Sequence, residues 1–148
     1  LCGKLKMVSS KNLIKLLYIS MFIAGMSYAY LQLLLPLYFL CIGIAGYVIA
    51  RRAEGNTFHY AKHLQRTALI CFGIFTFAIL ALMVGVYIDF LLSLPIPEYE
   101  VLQNNPAEFV QLARNLQSMF GIFCLGAFGI LVFRAFKCMS FMAKDEPI

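Results

Sequence analysis

The stretch TALICFGIFTFAILALMVGVYIDF, from Thr67 to Phe90, decides the fold. Its one charged residue, Asp89, sits next to its end. A helix rises ~1.5 Å per residue, so such a run covers the ~30 Å hydrocarbon core of a bilayer and reads as a membrane span. Pro95 and Pro97 close it, because proline lacks the N–H that a helix interior needs.

On the N-terminal side, the apolar block from Leu13 to Ala50 is too long for one span and is interrupted near Gln32 and Pro36. It predicts two helices, 13–31 and 33–50, with a hairpin at Tyr28 to Gln32 whose tyrosines suit a membrane interface. Proline is tolerated in a first helical turn, so Pro36 marks a start rather than a break. Arg51 and Arg52 end the second helix, and Glu54-Gly55-Asn56-Thr57 reads as a break followed by an N-cap. A short cytoplasmic interfacial helix is then expected from about Phe58 up to the third span, 67–90. On the C-terminal side, Asn105-Pro106-Ala107-Glu108 has the cap, first-turn proline and third-position acid of a helix start. That fourth helix is predicted to run to about Phe136, ~45 Å, with a span over 115–136. Its first turns project beyond the bilayer, with Phe109, Leu112, Ala113 and Leu116 forming one apolar face. The expected fold is all-α, an integral membrane four-helix bundle with a cytoplasmic loop at 51–66, an outer loop at 91–114 and an extended outer start to the fourth helix.

The composition agrees. The 148 residues are 62% hydrophobic and 13% charged, whereas a soluble domain is nearly half apolar and about a quarter charged. Mean hydropathy is +0.84. The net charge of +5 does not point to nucleic acid, since no segment is long enough to form a folded, solvent-exposed basic domain. Instead the charges report topology. With the N-terminus inside, Lys4, Lys6, Lys11, Lys15, Arg51, Arg52, Lys62, Arg66, Arg134, Lys137 and Lys144 all fall on the cytoplasmic side, and only Arg114 lies outside. Cytoplasmic loops collect Lys and Arg, so both termini are expected in the cytoplasm. Five cysteines, Cys2, Cys41, Cys71, Cys124 and Cys138, show no C-x-x-C pairing, and three lie in apolar blocks, which argues against a disulfide framework or thiolate metal site. The chain opens Leu1-Cys2, leaving Met7 as a candidate start. The Lys-flanked apolar run after it shows no small-residue cleavage site and reads as a retained first helix.

The most specific polar feature is Phe58-His59-Tyr60-Ala61-Lys62-His63-Leu64-Gln65-Arg66. On a helix, His59, Lys62, His63 and Arg66 share one face, three or four residues apart. Such a face suits an interfacial anchor, a contact with anionic headgroups or a partner protein, or a two-His metal site. Lys62 and Arg66 would repel a divalent cation, and no carboxylate or thiolate is evident nearby, so no metal or cofactor is expected.

Pro36-Leu37, Arg51-Arg52 and His63-Leu64-Gln65-Arg66-Thr67 together resemble a family of small bacterial membrane proteins of unknown function, itself distantly similar to the chloroplast inner-envelope (Tic) import component. The resemblance covers about 35 residues of the chain and implies a four-helix fold in a bacterial inner membrane, with no established activity.

Asp89 is the acidic residue nearest a span centre, and intramembrane carboxylates often mark ion pathways. Glu98, Glu100, Glu108 and Arg114 form a possible outer contact surface. Gly25 with Ala29, Gly46 with Ala50, Ala81 with Gly85, and Gly126 with Gly129 are spaced for close helix approach. No P-loop, G-x-S-x-G or H-E-x-x-H is present, so an enzyme has no support. The expected function is a non-catalytic accessory or assembly subunit of a larger membrane complex, whose partners are the lipid bilayer and a membrane protein or further copies of itself. The alternative is a small oligomeric transporter or channel, with Asp89, Gln32, Gln117 or the histidine face lining a route. A haem- or quinone-binding subunit using His59 and His63 is disfavoured, because two histidines on one face cannot clasp a haem from opposite sides.

Overall fold

A computed structural model describes residues 2–26, 34–93 and 106–148, with side chains from residue 10 onward in the first stretch and from 107 onward in the last. All four elements among the described residues are α-helices: α1 (Cys2–Met26), α2 (Leu35–Arg52), α3 (Asn56–Ser93) and α4 (Pro106–Lys144). The expected Tyr28–Gln32 hairpin, Ala29, Pro95, Pro97, Glu98, Glu100 and Asn105 lie outside the described residues.

Three stretches are long and apolar enough to cross a membrane: Leu35–Arg52, Asn56–Ser93 and Ala107–Lys144. α2 has Pro36 in its first turn and Arg51 and Arg52 in its last, as the sequence indicated. α4 begins at Pro106 with Glu108 in its first turn. Two lengths differ from expectation. The segment 56–66 is not a separate interfacial helix, because α3 runs unbroken through 38 residues, ~57 Å. No proline or glycine stands between Asn56 and Thr67 to interrupt it. α4 continues past Phe136 to Lys144, keeping Leu131, Ala135, Cys138 and Met142 buried at successive helical turns.

The chain forms two compact units, Leu1–Gly73 with Ala127–Ile148, and Ile74–Gly126. In the first, α1 buries Ile14, Tyr18 and Met21, which recur every three or four residues, while Leu16, Ile19 and Ile23 on the same helix are exposed. α2 buries Leu35, Phe39, Ile42, Gly43, Gly46 and Ala50 on one stripe. Helices with apolar residues both buried and exposed suit a lipid surround, where outward side chains lose nothing. In the second unit the same pattern recurs with fewer buried residues, Phe75, Ala78, Ala113 and Cys124.

Close approach uses some of the small residues and not others. A side-chain carbon added at Gly46 would meet the Gln65 backbone nitrogen at 3.1 Å, and one at Gly85 would meet the Ala113 carbonyl at 3.2 Å. Gly25 packs under the Phe128 ring in the first unit. Gly126 and Gly129, expected to be a packing pair, have nothing within 4 Å of such a carbon. Spacing shows that two small residues share a face but not which face meets a neighbour.

The turn between α2 and α3 places Gly55 at φ +59, the left-handed region open to glycine without cost. At the other end, α4 finishes in a Schellman motif. Glu146 N–H donates to the Phe141 carbonyl (3.1 Å) and Asp145 N–H to that of Met142 (3.4 Å), with Asp145 itself at φ 57.

Candidate functional site

The first four turns of α3 carry the polar face the sequence singled out. His59, Lys62, His63 and Arg66 line a cavity of about 110 Å³ together with Ile148, all within the first unit. One water needs only ~10–15 Å³ by the same measure, so a group the size of a phosphate fits. His59, Lys62 and Arg66 are exposed and His63 is half-buried. The whole face precedes Thr67, where the apolar span begins.

His63 is the residue that the fold holds in place. Its Nδ1 shares a hydrogen bond with the Tyr18 hydroxyl of α1 at 2.8 Å. Its carbonyl accepts from the Thr67 hydroxyl (2.8 Å), and that hydroxyl oxygen accepts from Nε of Arg134 on α4 (2.9 Å). Tyr18, His63, Thr67 and Arg134 thus tie three helices through one connected set of polar groups. Each group satisfies another that would otherwise be costly to bury.

Electrostatics follow from this placement. Burial, then the charges of Arg134, Lys137 and Arg66, push the His63 imidazole down to about 4, so it is neutral at pH 7. The positive charge of the face therefore comes from Lys62 and Arg66, with Arg134 and Lys137 close by. Among the described residues the one ion pair is Lys11 with Asp145, which leaves all four of these cations without a carboxylate partner there. Lys62 rests over the Phe58 ring (5.5 Å) and Lys137 over the Phe141 ring (6.0 Å), contacts that orient an ammonium group without neutralising it.

A clasp lies beside the cavity. Lys11 pairs with Asp145 and holds its carboxyl below the ordinary carboxylate range. Asn56 Nδ2 donates to the Asp145 carbonyl (2.7 Å), and the Tyr60 hydroxyl lies within reach of the carbonyls of Glu146 (2.6 Å) and Phe141 (3.2 Å). These bonds fix Asp145 and Glu146 against the start of α3, two residues before Ile148 in the cavity wall.

The structure brings His59, Lys62, His63 and Arg66 together as the helical spacing requires. Sequence reading missed Tyr18, Thr67, Arg134 and Asp145 as supports, because Tyr18 sits in an ordinary apolar stripe and its partner is 45 residues away. In the second unit, Asp89 accepts from Gln117 Nε2 on the exposed surface, one turn beyond the Gly85 contact, so two residues named for a route do meet. Gln32 lies outside the described residues, as do Glu98 and Glu100. Glu108 and Arg114 are both exposed on α4, six residues apart and not ion-paired with each other. Among the described residues, no three His, Cys, Asp or Glu side chains gather as a metal site would need, and Cys41, Cys71, Cys124 and Cys138 are free thiols.

Comparison with protein-family models, curated proteins and solved structures found no match to this chain.

Proposed function

We propose that this protein is a non-catalytic accessory or assembly subunit of a larger membrane complex. In this reading α1 is a fourth span, the chain is a four-helix bundle in a bacterial inner membrane, both termini are cytoplasmic and residues 56–66 stand at the cytoplasmic surface. One observation carries it. Inside the first unit Tyr18, His63, Thr67 and Arg134 are joined by hydrogen bonds, with the buried Thr57 hydroxyl left out of them, while Lys62, Arg66, Arg134 and Lys137, which have no carboxylate partner among the described residues, gather at one end. A transport path needs polar groups free to exchange partners with a solute, whereas a contact subunit needs a stable scaffold and an uncompensated outer surface. Extraction in mild detergent followed by pull-down of the full chain tests this. Another membrane protein should be retained, and repeated recovery of the chain alone would count against the proposal.

The transporter or channel reading is supported by the Asp89–Gln117 pair, a carboxylate and an amide near one end of a span. Liposome flux of protons, metal ions and small solutes through wild type and Asp89→Asn addresses it directly. Equal flux in the two would remove Asp89 from any route.

A further inference from the structure

We infer that the cavity lined by His59, Lys62, His63 and Arg66 is a binding site for the phosphate group of an anionic phospholipid. This inference deepens the proposed function and rests on its placing of residues 56–66 at the membrane surface.

Four observations converge on it. The cavity has room for a tetrahedral oxyanion. Two of its lining side chains, Lys62 and Arg66, are cations without an ion-pair partner among the described residues, and Arg134 and Lys137 raise the local potential further. His63 lies in the wall, held by Tyr18 at 2.8 Å, so part of the site is rigid before any ligand arrives. The height is also right. Arg66 is followed at once by the fully buried Thr67 and then by the apolar run, so the cavity lies at the end of the hydrocarbon-matched segment, where lipid phosphates sit. Arg can engage phosphate oxygens through two N–H groups, Lys acts as a point charge beside it, and a neutral imidazole can donate one N–H. A phosphate bound here would compensate charge that the described part of the chain leaves uncompensated.

The same chemistry could be met by free inorganic phosphate, and the experiment separates the two sources. The full chain is purified in a neutral detergent and titrated, with native mass spectrometry as readout, with phosphatidylglycerol, with phosphatidylcholine and with inorganic phosphate. Wild type should retain phosphatidylglycerol in preference to phosphatidylcholine, and millimolar inorganic phosphate should not displace it. In Lys62→Gln/Arg66→Gln that retention should weaken by roughly 30-fold, two interfacial cations' worth. Arg51→Gln/Arg52→Gln, which removes equal charge from the end of α2, should change it by less than about threefold. Thermal denaturation run on both doubles shows whether either has lost its fold. Equal loss in both doubles, unchanged retention in Lys62→Gln/Arg66→Gln, or displacement by inorganic phosphate would each overturn the lipid site. Should Lys62→Gln/Arg66→Gln fail to fold, Lys62→Gln alone should still weaken retention by several-fold, and no change there would equally overturn it. The titration reads lipid retention and the pull-down reads retained protein, so failure here leaves the pull-down result, and the accessory-subunit reading, standing on their own.

Discussion

The two compact units are held by different means. In Leu1–Gly73 with Ala127–Ile148, helices meet through close glycine contacts and a connected polar set, and a clasp secures Asp145 and Glu146. In Ile74–Gly126, α3 and α4 meet at Gly85 and Ala113, through the edge-to-face rings of Phe77 and Phe123 (5.2 Å), and through Asp89 with Gln117. In lipid the apolar effect does not distinguish a neighbouring helix from acyl chains, so specificity must come from close packing and hydrogen bonds. The first unit uses both in its interior. The second has its one interhelical side-chain hydrogen bond among the described residues on the exposed surface.

The largest expected effect breaks the first unit at its tightest point. Gly46→Val should destabilise by about 3 kcal/mol, because its added carbons meet the Gln65 backbone, which cannot rotate away. Gly129→Ala, where space is open, should be neutral or slightly stabilising. Steric-trap unfolding in bicelles measures both, and similar losses at the two sites would show that the Gly46 contact is not special.

Next in size is the polar set. Thr67→Val removes the acceptor for Arg134 Nε and should cost about 1–2 kcal/mol in the same assay. Gln117→Leu, its counterpart in the second unit, should cost under about 0.5 kcal/mol because the Asp89 bond is exposed to solvent. A reversal of that order would mean that the second unit, not the first, depends on its polar contact.

The smallest effect is the clasp's dependence on pH. Lys11 lowers the Asp145 carboxyl, so the folded state holds its proton less tightly than the unfolded chain does. The contribution is present above the ordinary carboxylate range and is lost as pH falls through the lowered value. Asp145→Asn should therefore shift the denaturation temperature slightly at pH 7 and not at all at pH 2, whereas Asp145→Gly tolerates the φ of 57 without restoring the pair.

Much of this architecture is legible in the sequence, for physical reasons that also set the limit. Apolar length marks α2, α3 and α4, and spacing by three and four puts His59, Lys62, His63 and Arg66 on one face. Local chemistry also marks ends, as at Pro36, Gly55 and Pro106. The unbroken passage of α3 through Arg66 and Thr67 is harder to see, because a fall in hydropathy marks the edge of a membrane and not the end of a helix. The run of α4 to Lys144 escapes for the same reason, since Cys138 and Met142 continue a buried stripe that Lys137 interrupts only on the other side. Tyr18 with His63, and Thr67 with Arg134, are pairings between distant turns that no local pattern announces. Asp145 in the left-handed region, where glycine is usual, is equally hidden.

The most direct measurement is native mass spectrometry of the full chain taken from membranes at its natural abundance, beside a Lys62→Glu/Arg66→Glu variant. The expected result is a wild-type species heavier than the 16.7 kDa chain by the mass of a different protein, with that added mass lost or much reduced in the variant. Wild-type protein found only at the mass of the chain, or only at whole multiples of it, would contradict the accessory-subunit reading.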